Sequence, residues 1–171
     1  KTSLNSMYGG SVRVFICHKK AKYKTNIKSI EKCKNLEGKY INKKHLLSFK
    51  KKIKYLSNSL NNVIRNLKRK NKTIHVYGAS TKGNIILQYS RINKNYISFA
   101  ADRNPLKWNR KMPGSNIPII SEKDSRSKRP DYYLVLPWHF KKEFISREKK
   151  YLTQGGRLIF PLPKIQIVSK K

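Results

Sequence analysis

Thr73-Ile74-His75-Val76-Tyr77-Gly78-Ala79-Ser80-Thr81-Lys82-Gly83-Asn84 reads as a short strand, a tight turn and the start of a helix. Thr73 to Tyr77 is β-branched and aromatic, and Gly78 breaks it. Ile85-Ile86-Leu87-Gln88-Tyr89 then has the apolar length of a buried helix. Gly78, Ser80 and Gly83 fall on the positions of a G-x-G-x-x-G nucleotide turn, with Ser replacing the middle glycine. Small residues suit that chemistry. Gly78 permits a sharp strand exit, Ser80 lets backbone approach a phosphate, and Gly83 lets helix pack on strand. The helix amides and dipole then face the anion, with Lys82 as a mobile cation. Asn84 after Gly83 excludes a P-loop, which needs Lys-Ser/Thr there.

The next strand, Ile97-Ser98-Phe99-Ala100-Ala101, ends at Asp102. That is about 20 residues on, where dinucleotide folds place the acid that takes ribose hydroxyls. Two readings stand at this point. One is a nucleotide-type ligand. The other is an ordinary strand-turn-helix connection capped by Ser80, with Asp102 capping the next turn.

The chain of 171 residues is long enough for one domain with a real core. It opens on Lys1-Thr2-Ser3 without an initiator Met, which suggests a piece of something longer. No apolar run reaches a membrane span and no signal peptide is visible. Cys17 and Cys33 make neither a disulfide framework nor a metal pattern, so a cytoplasmic setting without membrane or metal is expected. The net charge of +33 has two readings. It is either a polyanion-binding surface or compositional drift, since Lys, Asn and Ile share A/T-rich codons. The charge is spread along the chain with no arginine-rich cluster, which favours drift. Nonspecific attraction to polyanions at low salt follows either way.

Ser11-Val12-Arg13-Val14-Phe15-Ile16-Cys17 is a strand entered through Gly9-Gly10. Asn26 caps a short helix running to Leu36 and ending at Gly38. From Asn42 to about Lys70, Leu46, Leu47, Phe49, Ile53, Leu56, Leu60, Val63, Ile64 and Leu67 recur at helical spacing. That stripe packs on a sheet or a neighbouring domain; a coiled coil is disfavoured by its brevity and its like charges. The Pro- and Gly-rich loop from Arg103 to Asn116 holds Arg103, Trp108 and Arg110, suited either to an anionic or stacking ligand or to a surface loop pinned by its Trp. Ile117-Pro118-Ile119-Ile120 is an edge strand, because Pro118 cannot donate to a ladder. Ser121 caps a helix, with Asp124 three residues on. Asp131-Tyr132-Tyr133-Leu134-Val135-Leu136 is a strand of a parallel sheet covered on both faces. It ends in Pro137-Trp138-His139-Phe140, which places Trp138 and His139 near Gly78 and Asp102, as ligand or as structural residues. Lys141 to Gln154 is one helix stopped at Gly155-Gly156; Arg157 to Pro163 is a strand, and Ile165 to Val168 a possible last one. The fold expected is α/β, a Rossmann-like open, mostly parallel sheet with flanking helices, preceded by a long helix.

With these residues in view, the chain resembles the C-terminal domain of the nucleotide-sugar C-methyltransferases, enzymes that use S-adenosylmethionine to methylate a carbon of a nucleotide-linked keto-sugar. The carriers are Gly9 to Val14, Tyr77 to Asn84, Ala101-Asp102-Arg103-Asn104-Pro105, Pro113 to Ile119, and Pro137 to Phe140 with Gly155 to Ile159. Five blocks in order are more specific than one glycine turn. The resemblance implies a zinc-binding N-terminal domain, a middle domain that holds the methyl donor and the reacting groups, and this domain helping to hold the nucleotide-sugar. A base of the middle domain would remove a proton beside the sugar ketone, and the resulting carbanion would take the methyl group. Residues 1–72 would join this domain, 73–171, to the methyl-donor domain, upstream or in trans. The chain departs from the family in Tyr8, where a His usually precedes the Gly-Gly-Ser block, and in its charge.

The expected substrate contacts are Gly78, Ser80, Lys82, Gly83, Asp102, Arg103, Trp138 and His139, with no catalytic residue and no S-adenosylmethionine bound by this chain. The rivals are a basic module on a Rossmann scaffold that binds nucleic acid or another polyanion, and a fragment of an NAD-dependent oxidoreductase.

Overall fold

The computed structural model describes residues 1–7 and 10–170. The readings of Tyr8 and Gly9 lie outside the described residues. The chain divides into two compact units, Lys1–Lys52 and Ile53–Lys171.

The first unit pairs strand β1 (Thr2–Asn5) antiparallel with β2 (Ser11–Val14). The expected strand to Cys17 is shorter, and β1 is an addition. Helix α1 (Ile27–Tyr40) starts as expected, with the Asn26 side chain accepting from the Ser29 amide. It runs through Gly38 and ends at Ile41. α1 is tied to β1 by Thr2, whose amide donates to Ser29 Oγ and whose hydroxyl donates to the Ser29 carbonyl. No described residue of this unit is buried.

The second unit begins within helix α2 (Lys43–Arg69), the long helix of the sequence pattern. It contains β3 (Ile74–Tyr77), α3 (Thr81–Tyr89), β4 (Phe99–Asp102), β5 (Ile119–Ser121), α4 (Glu122–Ser127), β6 (Tyr132–Val135), α5 (Lys141–Arg147), α6 (Lys149–Thr153), β7 (Arg157–Phe160) and β8 (Gln166–Val168). The six strands lie in the order β5-β4-β3-β6-β7-β8. All pairs are parallel except the last, β7 with β8. This is a doubly wound Rossmann-like sheet, and its order reverses between β3 and β6.

Every residue of β3 and β6 is buried, as the near-continuous apolar runs require of central parallel strands. Alternate residues feed two cores. Ile74, Val76 and Leu134 pack with Leu60 and Ile64 of α2 and Leu87 of α3. Tyr77, Tyr133 and Val135 pack with Phe144 of α5 and Leu152 of α6 on the other face. The edge position of β5 agrees with Pro118 beside it. Ser121 caps α4 by accepting from the Asp124 amide at 3.0 Å.

The helix expected from Lys141 to Gln154 is two, α5 and α6, bent at Glu148. Glu148 is 3% exposed, and its carboxylate is turned inward to partners under the sheet. Periodicity alone does not carry that demand.

Candidate functional site

The elements that end at the topological switch point build one constellation. Gly78 leaves β3 with φ +88, a left-handed conformation that suits glycine. A Cβ there would meet the Pro137 ring at 2.7 Å, so the exits of β3 and β6 touch. Ser80 caps α3 by accepting from the Gly83 amide at 3.1 Å. Gly83 has no room for a side chain: a Cβ would sit 2.5 Å from Leu136 Cβ. Helix α3 is thereby seated on the end of β6, the close packing that the third small residue of the turn implies.

Asp102 closes the constellation from β4. Its Oδ2 accepts from the Ala79 amide at 2.9 Å and from Lys107 Nζ at 3.1 Å, and its Oδ1 accepts from the Asn104 amide at 2.9 Å. Lys107 also donates to the Ala79 carbonyl at 2.9 Å. Asp102 and Lys107 therefore hold the turn from outside. Trp108 Nε1 donates to the Asp102 carbonyl, which pins the following loop.

The matching of this chain to family models places residues 6–163 on the C-methyltransferase C-terminal domain. The chain belongs to that family. It is also 38% identical over 107 residues to C-methyltransferase NovU of Streptomyces niveus. That alignment covers 63% of this chain and 26% of the relative, so the chain spans about a quarter of that protein.

Within this C-methyltransferase C-terminal domain, the expected site residues are only partly gathered. Gly78, Ser80, Gly83 and Asp102 meet around the turn. Lys82 is exposed in the first turn of α3. Trp138 and His139 follow Pro137 in a short 3-10 turn, with their rings edge to face at 5.4 Å. Trp138 is half-buried against the Tyr77 core. Arg103 is ion-paired to α4: its Nε lies 3.3 Å from Glu122 Oε1.

The reading from sequence missed the polar layer beneath the turn. Tyr77 donates its hydroxyl to Glu148 Oε1 at 2.8 Å. Arg126 donates to both oxygens of Glu148, at 2.6 and 3.2 Å, and to Glu122 at 3.1 Å. Burial, then the hydrogen bond to Glu148, push the Tyr77 hydroxyl far above its usual range, so it stays a donor. Beside it, His75 Nδ1 meets Ser125 Oγ at 2.8 Å, and Ser125 Oγ meets the Tyr133 hydroxyl at 2.8 Å. Burial first, and Lys128 second, lower the His75 pKa to about 4. A signal was available in composition. Only eight acids stand against 41 cations. Asp102, Glu122, Asp124, Asp131 and Glu148 each hold a bond of this unit.

Proposed function

We propose that this chain is the nucleotide-sugar-binding C-terminal domain of an S-adenosylmethionine-dependent sugar C-methyltransferase. The observation that carries the reading is the Gly78–Gly83 turn at the switch point of the sheet, in a chain that belongs to the C-methyltransferase C-terminal domain family. Open α/β sheets bind ligands at such points, outside the carboxyl ends of the strands. The diphosphate lies against the start of α3, where first-turn amides lack intrahelical acceptors and the dipole favours an anion. Gly78, Ser80 and Gly83 shape the approach, and Lys82 supplies charge. Trp138, His139 and Arg103 border the sugar end. The domain contributes position and charge neutralisation to methyl transfer.

Asp102 takes a positioning role in this reading, in place of the sugar or ribose hydroxyl contact expected from its place in the sequence. Its carboxylate is committed to Ala79, Asn104 and Lys107. The same commitment argues against a nicotinamide or adenosyl ribose at this strand end. In this reading S-adenosylmethionine is held by another part of the enzyme, with the groups that move the proton. The apolar surface of the first unit, including Phe15, Ile16 and Phe49, suits cover by that donor domain. No helix among the described residues is long and apolar enough to cross a membrane, and Cys17 and Cys33 are free.

Lys82→Ala tests the reading. It should weaken binding of a deoxythymidine diphosphate-sugar about tenfold, the scale of one charge-assisted contact. Unchanged affinity removes Lys82 from the site.

A further inference from the structure

A second cleft lies at the opposite end of the parallel strands. Pro130-Asp131 and Gly155-Gly156 lead into β6 and β7, whereas Gly78 leaves β3. They border a cleft of about 500 Å³, large enough for a small ligand. Arg126, Arg129, Arg147 and Lys150 line it, against two acids, Asp131 and Glu148.

Both acids are occupied. Asp131 accepts from Lys72 Nζ and from the amide and hydroxyl of Thr73. Glu148 accepts from Tyr77 and Arg126. Arg129 and Lys150 are exposed, and among the described residues neither has an ion-pair partner. Arg147 is paired, but loosely. Its Nε is shut from solvent without a hydrogen bond and lies 3.6 Å from Glu148 Oε1, its Nη2 lies 3.6 Å from Glu122 Oε1, and its guanidinium sits over the Tyr77 and Phe144 rings. Composition does not account for the cluster. The chain has ten Arg and 31 Lys, yet three of the four cations here are Arg. Guanidinium forks match tetrahedral oxyanions in a way that ammonium groups do not. Arg129 also holds φ +47 at the end of α4, a conformation unfavourable for a side chain of its kind.

We propose that this cleft binds a phosphate group, with Arg129 and Lys150 as its direct contacts and Arg126 and Arg147 as the charge behind them. The group is either free phosphate or the end of a phosphomonoester.

The test is calorimetric titration of the full chain with inorganic phosphate and with a nucleoside monophosphate, at constant physiological ionic strength. Saturable binding is expected, weakened about tenfold or more by Arg129→Ala with Lys150→Ala. Lys94→Ala with Lys111→Ala removes equal charge outside the cleft and should leave it unchanged. Tighter binding of the monophosphate, lost with Arg129→Ala and Lys150→Ala, identifies a phosphomonoester site here; equal or tighter binding of inorganic phosphate identifies a free-ion site. Lys150→Gln, at an exposed helical position, gives a second reading if the double variant melts early. No saturable binding, or equal weakening by both double variants, overturns the proposal in favour of general surface charge.

Discussion

Gly83 and Ser80 set the turn by opposite means, one by having no side chain and one by its hydroxyl. A Cβ at 83 collides with Leu136, an atom of a buried strand end that cannot swing away. Gly83→Val should destabilise the domain by about 1–3 kcal/mol, the range for overpacking. The measurement is the urea midpoint, with the slope unchanged. Ser80→Ala removes the cap and should cost about 1 kcal/mol in the same assay. His75 adds a pH dependence whose sign follows from its burial. Its folded pKa, about 4, lies below the ordinary 6.5, so the unfolded chain binds more protons between those values. Stability should be complete above pH 6.5 and fall as pH drops toward 4, by about 3 kcal/mol from this group. Thermal melts at pH 7 and pH 4.5 should separate, and His75→Gln should narrow the gap. An unchanged gap would move the acid sensitivity to other groups.

At the scale of elements, the sheet was legible because each strand carries its own signal. The β-branched and aromatic runs before Gly78 and Pro137 mark buried central strands, and Pro118 marks an edge. The caps at Asn26, Ser80 and Ser121 were legible for the same local reason: one polar side chain and one amide decide each. What was not legible is what depends on distant partners. The bend between α5 and α6 follows from Glu148 reaching Tyr77 and Arg126, residues 71 and 22 positions away. Asp102 stood at the right place for a ligand, but its hold on Ala79 and Lys107 is a tertiary fact. Glu148 gives the prediction at this scale. Removing one partner of a buried charged network leaves the others unmatched, so Glu148→Ala should cost about 3 kcal/mol. Chemical denaturation reads the loss. A change under 1 kcal/mol would mean that water already serves Arg126 and Tyr77.

For the whole molecule, the two units differ in what holds them. Residues 1–52 have two short paired strands, one helix, the first turns of α2 and no buried described residue, whereas the second unit has two cores across one sheet. Limited proteolysis should therefore cut first within 1–52 and leave a resistant product close to 53–171. Early cuts inside the sheet unit would contradict that order. The charge of +33 belongs to this scale too, because it acts over the whole surface and attracts any polyanion at low salt. Salt consequently separates a built site from a charged surface. The most direct test is calorimetric titration of the chain with a deoxythymidine diphosphate-sugar at low and at moderate salt. The account predicts saturable binding at one site that largely survives the added salt. Absence of binding, or heat that vanishes with salt, would contradict a nucleotide-sugar site at the Gly78–Gly83 turn.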